Sequence, residues 1–190
     1  MIIFDNISNY QICVDLDNTL IFTDDANNQA YLYAINEFLP NIQFDYDGRI
    51  TESIILNNLN QFPKYILSSI IELKQKCFSN FINLTYINYH LLEKLNVMKT
   101  SSVLYLTSCG KKSRVERVLI HHGLHDLFND IICNEKKFEI IVNKTQDINK
   151  ILVFDDDKIQ LDMAHVAGIK KENLFLVRKE NIYGFEKIYD

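Results

Sequence analysis

The sequence predicts an α/β protein: a three-layer, open parallel sheet with a helical insert after its first strand. Three observations carry that expectation. Short apolar runs recur at residues 11–15 (QICVD), 102–106 (SVLYL), 130–133 (DIIC), 150–154 (KILVF) and 173–177 (NLFLV). From the second run onward, segments with helical periodicity separate them. A long stretch with helical spacing and no convincing strand lies between the first run and the second. Continuously apolar strands suit a parallel sheet covered on both faces, and alternating strands and helices build such a sheet through right-handed crossovers.

Taken in order, the first strand ends at Asp15 and is followed by the loop residues Leu16, Asp17, Asn18 and Thr19. Next, Tyr31, Ala34, Ile35 and Phe38 recur at helical spacing until Pro40 closes the segment. Thr51 and Glu52 open a second helix with Ile54, Ile55 and Leu59. Pro63 starts a third with Ile66, Ile70, Leu73 and Cys77, and a fourth runs through Tyr89, Leu92 and Leu95. The aromatic residues Tyr31, Phe38, Phe62, Tyr65, Phe78 and Phe81 are expected mostly in the core of this insert. Beyond it, residues 111–122 read as a helix with Val115, Val118 and Leu119 inward and Gly123 as its stop. Residues 137–143 and 159–166 read as two more helices. The expected organisation is a core domain over 1–22 and 98–190 with a helical domain over 23–97.

The chain of 190 residues has 47% hydrophobic and 24% charged residues and a formal net charge of −5. The acidic balance argues against a nucleic-acid binder, which would show a basic face. The four cysteines form no CxxC pair and read as free thiols. The opening residues lack a basic and apolar leader, and no run approaches the roughly 20 apolar residues of a membrane span. A soluble, cytoplasmic protein is expected. Nothing in the sequence speaks to oligomeric state.

Ligands in open α/β sheets bind at the carboxyl ends of the strands. Here those ends carry Asp15, Thr107 and Asp155. In DLDNTL, two carboxylates two residues apart just past a strand can hold one hard cation, and oxygen donors suit Mg²⁺. Asp15 would then stay ionised and attack phosphorus, and Asp17 would protonate the leaving oxygen and later deprotonate water. Thr107, with Ser108 beside it, offers a hydroxyl and a backbone N–H for a phosphate oxygen. The positive end of the following helix faces the same anion. The three successive acids of VFDDD are costly to gather without a cation, and a metal site shared with Asp15 explains them.

DLDNTL, then a strand ending in Thr-Ser, then a lysine, then LVFDDD, resembles the haloacid dehalogenase-like hydrolase superfamily along essentially the whole chain. The resemblance implies a Rossmann-like core with a C1-type helical cap that closes to exclude water. It implies Asp15 as nucleophile, Asp17 as general acid/base and Thr107 as a phosphoryl-binding residue. Asp156 would be a metal ligand, and Asp155 a ligand or a partner beside it. The backbone carbonyl of Asp17 would complete the protein's share of the coordination. The family's phosphate-holding lysine falls on Lys137, with Lys136 and Lys144 as alternatives. Asp17 points to phosphatases or phosphomutases, since family members that attack carbon lack an acid there. The implied partner is a small phosphorylated metabolite. The rival readings are phosphoryl transfer to a second hydroxyl, and a binding protein that keeps the fold without turnover. Elsewhere, His121, His122 and His125 complement a helix dipole, and Asp24, Asp25 and Arg49 lie in or beside the insert.

Overall fold

The computed structural model describes residues 8–178 and 186–187. The chain divides into two compact units, one of Met1–Phe22 and Ile87–Asp190, the other of Thr23–Tyr86. Along the chain, β1 (Gln11–Val14) and β2 (Ile21–Phe22) precede the helices α1 (Asp24–Phe38), α2 (Glu52–Asn58) and α3 (Lys64–Cys77). Then come β3 (Tyr86–Ile87), α4 (Tyr89–Lys99), β4 (Val103–Ser108), α5 (Lys112–His121), β5 (Asp130–Cys133) and α6 (Lys137–Lys144). The chain continues through β6 (Ile151–Asp155), α7 (Lys158–Val166), β7 (Leu174–Leu176) and β8 (Glu186–Lys187).

Among the described residues the first unit holds a sheet in the order β5-β4-β1-β6-β7-β8. The strands are parallel except β8, which runs antiparallel to β7. The predicted α/β class, an open parallel sheet of Rossmann-like type, is therefore borne out. The central strands are apolar because both faces are covered: Ile12, Cys13 and Val14 of β1 are fully buried, and every residue of β6 is buried. One face packs Cys13, Ile151 and Val153 against Phe138 and Ile141 of α6 and Leu161 and Ala164 of α7. Chain order reverses beside β1, which lies between β4 and β6, and such a switch point opens a crevice at the strand ends.

Local sequence explains the ends of these elements. Gly123 follows α5 at φ +67°, and the next residue, Leu124, donates its N–H to the Leu119 carbonyl at 2.8 Å. Only glycine adopts that conformation freely. A Cβ there meets nothing within 4 Å, so the cost of Gly123→Ala is purely conformational. We expect a loss of about 1 kcal/mol, read as a lower urea midpoint with an unchanged slope.

Four expectations need correction, the last of them in the core of the second unit. The strand read at residues 102–106 runs on to Ser108, because β5 continues the ladder through Thr107↔Ile132 and Ser108↔Cys133. The helical spacing of the insert predicts no strand there, yet β3 pairs with β2. The division falls at Tyr86/Ile87, whereas the sequence suggested 97/98, so α4 belongs to the first unit. The Asn88 side chain caps α4 by accepting from the Leu91 N–H and donates to the Thr19 carbonyl at 3.0 Å, and Leu91, Leu95 and Met98 are buried.

The second unit packs Tyr31, Ala34, Ile35, Ile55, Leu59, Leu67 and Ile70 into its own core. Buried Asn27 and Asn28 hold the segment before α2, donating to the carbonyls of Ile50 and Gly48. Phe38 and Tyr65, expected inside, are exposed; Leu39 takes the inward place at the end of α1. No described helix is long and apolar enough to cross a membrane.

Candidate active site

Asp15 leaves β1 between two neighbours, its N–H donating to the Phe154 carbonyl at 2.9 Å. The chain then turns sharply. Asn18 sits at φ +58°, and the N–H groups of Leu20 and Ile21 both return to the Leu16 carbonyl. That turn brings Thr19 back toward the end of β6. Its hydroxyl donates to Asp156 Oδ1 at 3.0 Å and accepts the Asp156 N–H at 2.9 Å, a reciprocal tie between residues 137 positions apart.

The three acids after β6 diverge. Asp155, almost fully buried, accepts from the Lys137 ammonium at 2.8 Å and from the Asp157 N–H at 3.0 Å. Asp156 is held by Thr19. Asp157 faces away as the N-cap of α7, accepting from the Ile159 N–H at 2.8 Å.

Lys137 opens α6 and is fully buried. Its ammonium lies 2.9 Å from Asp15 Oδ1, 2.8 Å from Asp155 Oδ2 and 3.4 Å from the Thr107 carbonyl. Lys144 instead pairs with Asp130 at 2.7 Å and Lys136 with Glu139 at 3.7 Å, both away from these carboxylates. Thr107 is wholly buried, and its hydroxyl has no hydrogen-bond partner among the described residues. The Ser108 hydroxyl accepts the Gly110 N–H at 3.0 Å and so serves the turn after β4. Asp17 stands apart from the other acids: both of its oxygens are taken by the Arg114 guanidinium, at 2.8 and 2.5 Å.

Burial dominates the electrostatics. It pushes the Asp15 carboxyl far above the usual carboxylate range, Asp155 adds to the rise, and Lys137 opposes it. Asp155 is raised by burial against the pull of Lys137. Asp156 is pushed up to about 7 by burial and by the Asp15 carboxylate. Burial pulls Lys137 down, but Asp15 and Asp155 outweigh it and hold the ammonium above its ordinary value.

No family model matches the chain, and no curated protein matches it. Solved structures do. A protein described as a phosphatase from Clostridium difficile superposes with a TM-score of 0.72 at 18% identity, over 86% of this chain and 83% of that one. A haloacid dehalogenase-like family hydrolase from Streptococcus pneumoniae gives 0.67 at 17% identity, over 85% and 82%. A protein of Bacillus subtilis described as a HAD-hydrolase bound to magnesium gives 0.62 at 14% identity, over 86% and 87%. The chain has the haloacid dehalogenase-like hydrolase fold.

On this haloacid dehalogenase-like framework the donor set fits a hard divalent cation. Asp15, Asp155 and Asp156 each present a carboxylate oxygen, and these atoms lie within 4.8 Å of one another. All are oxygen donors, as Mg²⁺ requires. Arg114 is matched by Asp17, and Lys137 is shared by Asp15 and Asp155, so the cluster carries more negative than positive charge. Burial is the main cause of the raised pKa values and repulsion among the acids adds to it, and a divalent ion would offset both.

Sequence reasoning missed two participants. In the sequence Thr19 is only a loop residue, and Arg114 carries no mark of function. Thr19 at the end of DLDNT was a usable signal. Arg114, on a helix 97 residues from its partner, had none in the local sequence.

Proposed function

We propose that the chain is a magnesium-dependent phosphatase that hydrolyses a small phosphate monoester through an aspartyl-phosphate on Asp15. The observation that carries this reading is the buried Lys137 ammonium spanning Asp15 and Asp155 beside the unpartnered Thr107 hydroxyl. A wholly buried hydroxyl without a partner costs about 1–3 kcal/mol, and a phosphoryl oxygen would satisfy it.

In the first step an Asp15 oxygen attacks phosphorus while the bond to the leaving oxygen breaks. Asp17 gives that oxygen its proton, which an alkoxide leaving group needs. Thr107 donates to a non-bridging oxygen, and Lys137 offsets the charge gathering around Asp15. In the second step ionised Asp17 takes a proton from water as the water oxygen attacks phosphorus. Inorganic phosphate leaves and Asp15 is regenerated. Mg²⁺, held by Asp15 and Asp156 with Asp155 and the Asp17 carbonyl at hand, would supply Lewis-acid neutralisation of the phosphoryl oxygens.

The test is phosphate release from a broad panel of monoesters by the full chain. We expect release from at least one, its loss on chelation with EDTA, and its return with added Mg²⁺. Silence across the panel, or release indifferent to EDTA, would refute the reading.

A further inference from the structure

Arg114 has no part in the chemistry above, yet it holds a residue that does. Its guanidinium meets Asp17 edge to edge, Nη1 to Oδ1 at 2.8 Å and Nη2 to Oδ2 at 2.5 Å, and both side chains are mostly buried. Such a planar, two-bond grip sets orientation as well as attraction. We propose that Arg114 is a positioning residue that fixes the Asp17 carboxylate for proton transfer, and that Gly110 exists to let it do so. The inference rests on the hydrolase reading given above.

Two observations carry it. The first is the grip itself. Two nitrogens of one guanidinium each meet a different Asp17 oxygen, so the pair of bonds holds the plane of the carboxylate as well as its distance, while the backbone at Asp17 is held by its bridge to Ile21.

The second is Gly110. A Cβ built there would overlap Arg114 Nη2 and would also come within 3.2 Å of Ser108 Oγ. The guanidinium therefore crosses the turn where any other residue would place a side chain. Gly110 is not in the left-handed region, so backbone freedom does not demand glycine here. Room for Arg114 does. Because the atom displaced is the free end of a long side chain, Gly110→Ala should dislodge the grip at little cost to folding.

The step affected is the breaking of the bond from phosphorus to the leaving oxygen as Asp15 bonds to phosphorus and the Asp17 proton passes to that oxygen. An alkyl leaving group depends on that proton, whereas p-nitrophenolate leaves without it. General acids contribute about 10²–10⁴-fold in such steps. The experiment compares an alkyl phosphate accepted by the wild type with p-nitrophenyl phosphate. It follows release of the alcohol or phenol in single turnover with saturating full-length enzyme and Mg²⁺. For Arg114→Ala we expect a loss of about 100-fold on the alkyl ester and less than about 10-fold on the aryl ester. Gly110→Ala should shift the same ratio in the same direction, and Arg114→Lys, which keeps the charge but not the paired grip, should recover only part of it. Equal losses on both esters, no loss, or a gain on the alkyl ester would overturn the proposal. Should Arg114→Ala fail to fold, Gly110→Ala decides by the same criterion. A wild type that releases neither product defeats the hydrolase reading itself, and this inference with it.

Discussion

Asp15→Asn should abolish Mg²⁺-dependent phosphate release while leaving the fold intact. The asparagine is nearly isosteric and its carbonyl can still accept from Lys137, now at 2.9 Å from Asp15 Oδ1. What disappears is the anionic oxygen that would bond to phosphorus. Loss of a covalent nucleophile is a loss of the whole pathway, on the order of 10⁴-fold or more in kcat. Stability should hold or rise, because one buried carboxylate that raises the pKa of Asp156 has gone. Phosphate release and urea unfolding on the same preparation separate the two effects. Turnover within tenfold of wild type would remove Asp15 from the role of nucleophile.

Lys137→Met should produce the largest change in stability. The substitution keeps the volume of a side chain with no exposure and deletes the cation between Asp15 and Asp155. Breaking a buried pair in this way costs about 3–5 kcal/mol. The cost should depend on pH in a defined direction. The carboxyls left behind have folded pKa values above their ordinary 3.8, and removing Lys137 raises Asp15 and Asp155 further. Between those two values the folded chain binds more protons than the unfolded chain, so stability falls as pH rises. The variant should therefore lie closest to wild type near pH 4 and fall furthest behind above about pH 8, because the two chains diverge only as the folded wild-type carboxyls, about 6 for Asp155 and about 8 for Asp15, lose their protons. Added Mg²⁺ should recover part of the deficit at the higher pH. Urea midpoints at both pH values check this, and a deficit that does not vary with pH would contradict it.

The fold was legible because its signals are local. QICV and ILVFD are apolar at every position, a pattern that needs two covered faces, and each run is followed by the acids that mark the strand end. Lys137 could be favoured over its neighbours from its place at the start of a helix, and the structure brings that lysine, and neither Lys136 nor Lys144, to Asp15. The site's tertiary ties were not legible. The bonds from Thr19 to Asp156 and from Arg114 to Asp17 join residues 137 and 97 positions apart, and neither leaves a periodicity to read. The unit boundary was misplaced for a related reason. The fourth helix has the same apolar spacing as its predecessors, and only its cap on the Thr19 turn reveals which unit it serves.

The run of acids from Asp155 to Asp157 carries a consequence for what the chain tolerates. Each member answers to a different master: a lysine, a threonine and the start of a helix. Conservative changes of side chain can be absorbed one at a time. Deleting or adding a single residue here cannot, since every acid would inherit its neighbour's post at once. The length of this short loop is thus more constrained than its composition.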